Sequence, residues 1–177
     1  MMKTHKFTII ASGLDRFSEE FDSNFYGKDC DDATVAFQKG HIIIDFAREA
    51  ESVEAAIVSA LNDVRRAGAM IERIEPDPLV SLSDIAARAD LSRAATSHYA
   101  SGKRGANFPG PVAKVTSDSS LWDWATVARW LYRDRKISRD VLHDAAAVKQ
   151  ANLFIESGVL PAVETLQQKT REFEDAA

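Results

Sequence analysis

The sequence contains a single cysteine and no long hydrophobic run. Because Cys30 has no second cysteine to pair with, the chain forms no internal disulfide and no cysteine metal cluster. No apolar stretch approaches the roughly 20 residues that a membrane-spanning helix needs. The first residues turn acidic soon after a short apolar segment, which is not typical of a secretory signal. We therefore expect a cytoplasmic protein that does not contact a membrane.

The sequence also lacks the residue patterns of an active site. It contains no evident nucleophile–base pair, metal-ligand spacing or phosphate-binding glycine motif. Asp29, Asp31 and Asp32 form an acidic cluster, but the spacing of a calcium-binding loop and its closing Glu are absent, which predicts a solvated loop. His5 and His41 are far apart in the sequence and are expected to be ordinary strand residues. We predict that the protein is not an enzyme and binds no cofactor or metal.

Charge is unevenly distributed along the chain. The whole sequence has 22 Lys and Arg against 27 Asp and Glu, a net charge of −5. Residues 81–140 have 10 basic and 6 acidic side chains, whereas residues 1–80 have 9 and 15. Because attraction to phosphate is short-ranged and screened by salt, this local basic excess is compatible with nucleic-acid binding despite the acidic flanks. A solvated basic face would explain the same distribution.

The first 78 residues alternate between strand and helix patterns. Strands are predicted at 6–11, 32–38, 41–46 and 69–75, and helices at 16–26 and between Ser52 and Gly68. Phe17, Phe21 and Phe25 form the apolar stripe of the first helix, and Lys39-Gly40 is a two-residue turn. The order β-α-β-β-α-β predicts a ferredoxin-like α+β sandwich. Dimerisation and ligand sensing are both open as uses of this half.

Residues 81–101 have the pattern of two short helices joined by a tight turn. Ser81 followed by Asp84 is a capping-box start, and Ser92 caps the second helix, 92–101. The inward positions of that helix are predicted to be Ala95, Thr96, Tyr99 and Ala100. The outward positions, where a recognition helix meets base edges, are predicted to be Arg93, Ala94, Ser97 and His98. Arg93 is suited to two hydrogen bonds with guanine, whereas an ordinary exposed helical hairpin is the alternative.

A basic glycine loop, residues 101–105, follows the second helix. Its Ser101, Lys103 and Arg104 are suited to contacts with phosphate. Strands at 112–115 and 121–124 are predicted to flank a turn at 116–120 as a wing, before a third helix capped by Asp123. The buried stripe of this helix is predicted to be Val127, Trp130 and Leu131. The basic run at its end fits a solvated helix end or a flanking phosphate contact and comprises Arg129, Arg133, Arg135, Lys136 and Arg139.

Several uncommon residues occur in a characteristic order between residues 81 and 133. They are Ile85-Ala86, Ser92-Arg93, Gly102, Phe108-Pro109, Pro111-Val112, Trp122 and Trp130-Leu131. This order resembles the small winged-helix regulators of the AlpA and excisionase type within the MerR superfamily. The resemblance implies a winged helix-turn-helix that binds double-stranded DNA. The expected contacts are Ser92, Arg93, Ala94, Ser97, His98, Ser101, Lys103 and Arg104.

Two features of this stretch depart from the family pattern. Thr96 and Tyr99 occupy positions that are usually aliphatic, so the second helix is expected to pack differently. The hairpin tip, with Asp118 among serines, lacks the arginine often found before the tryptophan, which argues against a strong grip on DNA by the wing.

Three regions follow from these patterns: a ferredoxin-like domain at 1–78, a winged helix-turn-helix domain at 79–136 and a helical segment at 137–177. The last includes a helix from Ser138 to Ser157, with Leu153 among its apolar members, and its thinness favours a homodimer. The leading hypothesis is a sequence-specific transcriptional regulator, repressor-like, in which helix 92–101 reads the major groove. The alternatives are an excisionase-like architectural factor and an antitoxin or other protein that binds a partner through its N-terminal domain.

Overall fold

The computed structural model describes residues 1–19, 21–26 and 30–176, and it has an α+β fold. The chain divides into two compact units. Unit 1 is Met1–Pro76 with Ala147–Asp175, and unit 2 is Asp77–Ala146 with Ala176. The strands are β1 (Lys3–Ser12), β2 (Ala33–Gln38), β3 (His41–Ala50), β4 (Met70–Glu75), β5 (Leu79–Val80) and β6 (Trp122–Asp123). The helices are α1 (Phe21–Tyr26), α2 (Val53–Arg66), α3 (Leu82–Arg88), α4 (Arg93–Ala100), α5 (Trp124–Arg133), α6 (Arg139–Glu156) and α7 (Val163–Asp175).

Unit 1 is built on a four-stranded antiparallel sheet in the order β2-β3-β1-β4. The four predicted strands are confirmed, and β1 and β3 are longer than expected because each pairs with the other over Lys3↔Ala50 to Ala11↔Ile42. The predicted turn between β2 and β3 is also confirmed. Lys39 and Gly40 both have positive φ, at 52° and 81°, as in the turns whose twist matches that of a hairpin.

The core of unit 1 lies on one face of this sheet. Alternate side chains of β1 and β3, such as Ile9 and Ile44, are buried there because successive strand residues point to opposite faces. Helix α2 covers them with its apolar stripe. Ser52 caps α2 by accepting a hydrogen bond from the Ala55 amide at 3.1 Å, and Gly68, at φ 90°, follows its end.

The predicted start of the first helix is wrong. Helix α1 begins at Phe21 rather than at residue 16, and the Asp15 carboxylate instead accepts the Phe17 amide at 2.9 Å in a local turn. Side chains of this type stabilise turns in competition with the helix. Phe17 is therefore 77% exposed, whereas Phe21 and Phe25 are buried as predicted.

The predicted solvated acidic loop is also wrong at Asp32. Its carboxylate accepts hydrogen bonds from Nε and Nη2 of Arg48, at 2.7 and 2.8 Å, and Arg48 Nη1 donates to buried Asp63 at 2.6 Å. The bond from Arg48 lowers the pKa of Asp32, against an opposing effect of burial. Burial opposes the charged guanidinium, but the two carboxylates raise the pKa of Arg48. Asp31 is exposed, and Asp29 lies outside the described residues.

The predicted C-terminal segment, 137–177, is divided between the two units. Helix α6 begins in unit 2, and from Ala147 onward it belongs to unit 1. Ala147, Ala151 and, on α7, Leu166 lie in the core of unit 1. Leu153, one of the apolar members of the predicted helix, is 50% exposed. Part of the apolar surface for which we expected a second copy of the chain is thus buried within unit 1, and the homodimer stays a prediction.

Candidate nucleic-acid interface

Helices α3 and α4 begin with the predicted caps. Ser81 Oγ accepts the Asp84 amide at 3.2 Å, and the Asp84 carboxylate accepts the Ser81 amide at 2.8 Å, which completes a capping box. The turn between the helices is tight because Asp90 adopts φ 52°. The Leu91 amide then donates to the Ala86 carbonyl at 2.9 Å. These contacts fix where α4 begins.

Thr96 holds α4 against α3. Its hydroxyl is positioned to donate to the Leu82 carbonyl at 3.3 Å and to the Arg93 carbonyl at 2.9 Å, and the side chain is fully buried. The hydroxyl of this buried polar side chain is thus satisfied by hydrogen bonds. Tyr99 is buried beside Thr96 as predicted. Ala100 is exposed, so its predicted inward position is wrong.

The opposite face of α4 is exposed over its whole length. Its exposed side chains include all four predicted outward residues, Arg93, Ala94, Ser97 and His98. Ser92 and Ser101 are also exposed, and both have a structural role at the helix ends. Ser92 Oγ accepts the Ala95 amide at 3.1 Å, and Ser101 Oγ donates to the His98 carbonyl at 3.3 Å.

The glycine loop continues this exposed surface with positive charge. Lys103 and Arg104 are exposed, and the sequence has no Asp or Glu between Asp90 and Asp118. Within the described part of the chain, neither of these residues nor Arg93 forms an ion pair. Because no carboxylate neutralises them, the three cations are available to an anionic partner.

Three aromatic rings lie beneath the glycine loop. The ring centroids of Tyr99, Phe108 and Trp130 are separated by 5.0 to 6.0 Å, and the Trp130 ring meets both of the others edge-on. The indole N–H of Trp130 donates to the Ala106 carbonyl at 3.0 Å. Trp130 is half-buried, while Val127 and Leu131 of the same predicted stripe are fully buried. The sequence pattern identified Trp130 as a core residue of α5 and missed its contact with the loop.

The predicted wing is much shorter than expected. Its two sides are joined in the described structure by one bridge, Ala113↔Leu121, and by a hydrogen bond from the Val112 amide to the Leu121 carbonyl at 2.8 Å. Strand β6 pairs instead with β5, a strand that was not predicted. Lys114 interrupts the first strand with φ 50°, and Ser120 Oγ is positioned to donate to the carbonyls of Lys114 and Ser117. Side-chain bonds to nearby carbonyls thus replace the cross-strand ladder.

Trp122 and Trp124 anchor the hairpin and the start of α5. Both are buried, and Trp122 Nε1 donates to the Pro109 carbonyl at 3.0 Å. Trp124 belongs to α5 rather than to a strand, and the guanidinium carbon of Arg88 lies 5.3 Å from its ring centroid. Asp123 caps α5 by accepting the Thr126 amide at 2.9 Å, as predicted.

The basic run extends past the end of α5. Arg133, Arg135, Lys136 and Arg139 are exposed, and Arg129 is partly buried. Burial and the neighbouring charge of Arg133 lower the pKa of Arg129. Cations at this end also complement the helix dipole, so the run does not by itself identify a binding surface.

Comparisons of the chain with protein-family models, with curated proteins and with solved structures find no match. Among the described residues, none of the helices is long and apolar enough to span a membrane.

Proposed function

We propose that the protein is a sequence-specific DNA-binding transcriptional regulator of the repressor type. The observation that carries the proposal is the continuous exposed surface formed by α4 and the glycine loop. On it, Arg93, Lys103 and Arg104 form no ion pair with the described residues. Such a surface combines hydrogen-bond donors for base edges with cations for phosphates.

The proposal includes a fold assignment for each unit. We take unit 1 as ferredoxin-like, because its element order and its antiparallel strand order β2-β3-β1-β4 suit that fold. We take unit 2 as a winged helix-turn-helix with a reduced wing. Its support is the α3-turn-α4 geometry, followed by a narrow hairpin and an amphipathic α5.

In this mechanism α4 lies in the major groove with its N-terminal end against the bases. A helix of eight residues is about 12 Å long, comparable with the roughly 12 Å width of that groove. Arg93, at the first turn, reads guanine through two donors, and Ser97 and His98 contact the next bases along the same face. Binding across a promoter excludes polymerase, which makes the protein a repressor.

Lys103 and Arg104 contact the phosphate backbone beside the groove. Their contribution is independent of sequence and falls as salt rises, because each neutralised phosphate releases counterions. Arg93 therefore provides selectivity, and the glycine loop provides affinity. Two copies of the chain would read two half-sites one helical turn apart, about 34 Å, if the protein dimerises as predicted.

The test is binding to the DNA upstream of the protein's own coding sequence, titrated with salt. Arg93→Ala should reduce the preference for that DNA over a scrambled duplex, whereas Lys103→Ala should weaken both duplexes alike and lower the salt slope by about one. Arg65→Ala, at an exposed arginine of α2 in unit 1, is the matched control and should change neither.

Failure of the wild-type protein to bind either duplex at low salt would refute the proposal. Strong bending of the bound DNA, with cooperative binding at tandem sites, would instead favour an excisionase-like architectural factor. A stable complex with a defined protein partner and no affinity for DNA would favour the antitoxin class.

A further inference from the structure

We propose that Trp130 and Gly105 are positioning residues that hold Lys103 and Arg104 in place for phosphate, an inference that rests on the proposed function. By composition the glycine loop is flexible, with two glycines among five residues. A flexible loop would lose affinity, because ordering long side chains on binding costs free energy. The contacts around the loop remove much of that cost in advance.

The loop backbone is tied to the end of α4. The Gly102 amide donates to the Tyr99 carbonyl at 3.1 Å, and the Arg104 amide donates to the His98 carbonyl at 3.1 Å. The second bond joins a loop cation directly to the helix that carries the predicted base contacts. This bond fixes the position of the Arg104 backbone relative to α4, and the Arg104 side chain begins from that fixed point.

The Arg104 side chain is also placed by an aromatic ring. Its guanidinium carbon lies 5.6 Å from the centroid of Tyr99, within the range of a cation–π contact. Tyr99 in turn lies against Trp130, with centroids 5.1 Å apart. Because Tyr99 is buried, its ring is a fixed support, while the exposed guanidinium keeps its hydrogen-bond donors for a ligand.

Gly105 is where the loop closes onto Trp130. A Cβ atom at this position would lie 2.8 Å from two carbons of the Trp130 ring and 3.0 Å from Tyr99 Cδ1. Contacts this short do not occur, so an alanine would force the loop away from the ring. The ring cannot easily withdraw, because its N–H is bonded to the Ala106 carbonyl and its edge faces Phe108.

Gly102 provides a matched control in the same loop. It has nearly the same φ as Gly105, 72° against 74°, so alanine has a similar backbone cost at both positions. A Cβ at Gly102, however, would meet nothing within 4 Å. The difference between Gly105→Ala and Gly102→Ala therefore isolates the contact with Trp130.

The experiment measures two quantities in the full chain: affinity for a mixed-sequence duplex of about 20 base pairs, roughly two helical turns, and hydrogen exchange of the Arg104 amide by NMR. We expect Gly105→Ala to bind about tenfold more weakly than Gly102→Ala, with a smaller salt slope and faster Arg104 exchange. Circular dichroism and thermal unfolding verify that both variants are folded.

A conservative change at Trp130 provides the second arm. Phe lacks the distal ring carbons that a Cβ at position 105 would strike. The loss caused by Gly105→Ala should therefore shrink to about twofold in a Trp130→Phe background, which is the coupling expected of residues in contact. Trp130→Phe alone should speed exchange of the Arg104 amide, since the bond to Ala106 is gone.

Two results would overturn the positioning role while leaving the proposed function intact. One is equal loss of affinity in Gly105→Ala and Gly102→Ala, and the other is faster Arg104 exchange in Gly105→Ala with unchanged affinity. Absence of duplex binding by the wild-type protein would instead refute the proposed function, and the positioning role with it. The exchange data would in that case still measure how firmly the loop is held.

Discussion

Asn152 hydrogen-bonds both backbone groups of Ile74 with its side-chain amide. Its Oδ1 accepts the Ile74 amide at 2.7 Å, and its Nδ2 donates to the Ile74 carbonyl at 3.0 Å. Ile74 belongs to β4, which is an edge strand of the sheet formed by the described residues. The amide of one side chain thus substitutes for a neighbouring strand at this point, and Asn152 is itself buried.

Asn152→Ala should destabilise unit 1 by about 1–3 kcal/mol, because it leaves two buried backbone groups without partners. Hydrogen exchange of the Ile74 amide, with thermal unfolding, measures the effect. Asn62→Ala is the control, since that half-buried side chain donates to a carbonyl within its own helix, at Val58, and its loss should cost less. Unchanged protection of Ile74 in Asn152→Ala would contradict the role given to this bond.

The Asp32–Arg48 pair should make stability depend on acid pH. The bond from Arg48 depresses the pKa of Asp32 below its ordinary value of 3.8. The stability that this pair contributes is therefore complete above the pKa of Asp32 in the unfolded chain. It is lost as pH falls through the lower pKa of Asp32 in the folded protein. Denaturant unfolding between neutral pH and about pH 2 should show this loss, and Asp32→Asn should flatten it. Asp31→Asn, at an exposed neighbour, should leave the profile unchanged.

Thr96→Val should weaken the contact between α3 and α4. Valine keeps the buried shape and removes the hydroxyl that is positioned to donate to the Leu82 and Arg93 carbonyls, so we expect a loss of about 0.5–1.5 kcal/mol. Thermal unfolding of the variant measures this. A gain in stability would contradict the role given to these two hydrogen bonds.

Ser92 allows helix capping and DNA contact to be separated. Ser92→Ala removes the acceptor for the Ala95 amide and should cost about 1 kcal/mol of stability. Ser92→Asp preserves the cap, so stability should be maintained, but its negative charge should repel phosphate and reduce duplex affinity. Unfolding and binding measured on the same samples distinguish the two effects. Full affinity in Ser92→Asp would place this end of α4 away from the DNA backbone.

Local signals predicted much of the fold. Alternating apolar residues marked β1 to β4, and short polar caps such as Ser52, Ser81 and Asp123 marked helix starts, because each signal acts within a few residues. The outward face of α4 could be predicted for the same reason: it depends only on helical spacing. The predicted burial of Phe17 was wrong because the Asp15 carboxylate accepts the Phe17 amide in a local turn. The spacing of apolar residues carries no information about such a bond.

Features that depend on distant partners could not be predicted. The bond between Asn152 and Ile74 spans 78 residues, and nothing in the pattern of α6 distinguishes Asn152 from an exposed polar residue. The contact between Gly105 and Trp130 likewise joins two elements whose spacing along the chain carries no signal. The expected hairpin is shorter because Ser120 Oγ is positioned to donate to the Lys114 carbonyl, a group that a longer ladder would use, and to the Ser117 carbonyl in the turn.

Unit 1 is discontinuous in the sequence: its sheet precedes residues 77–146, and part of its core follows them. A ribosome therefore finishes the whole of that middle region before Asn152 and Leu166 have been synthesised. Until those residues are made, the β4 edge and part of the apolar face of the sheet are uncovered. The middle region, by contrast, has nearly all of its residues as soon as residue 146 has been synthesised. Unit 2 begins later in the sequence than unit 1, but it is the unit that can complete its fold first as the nascent chain emerges.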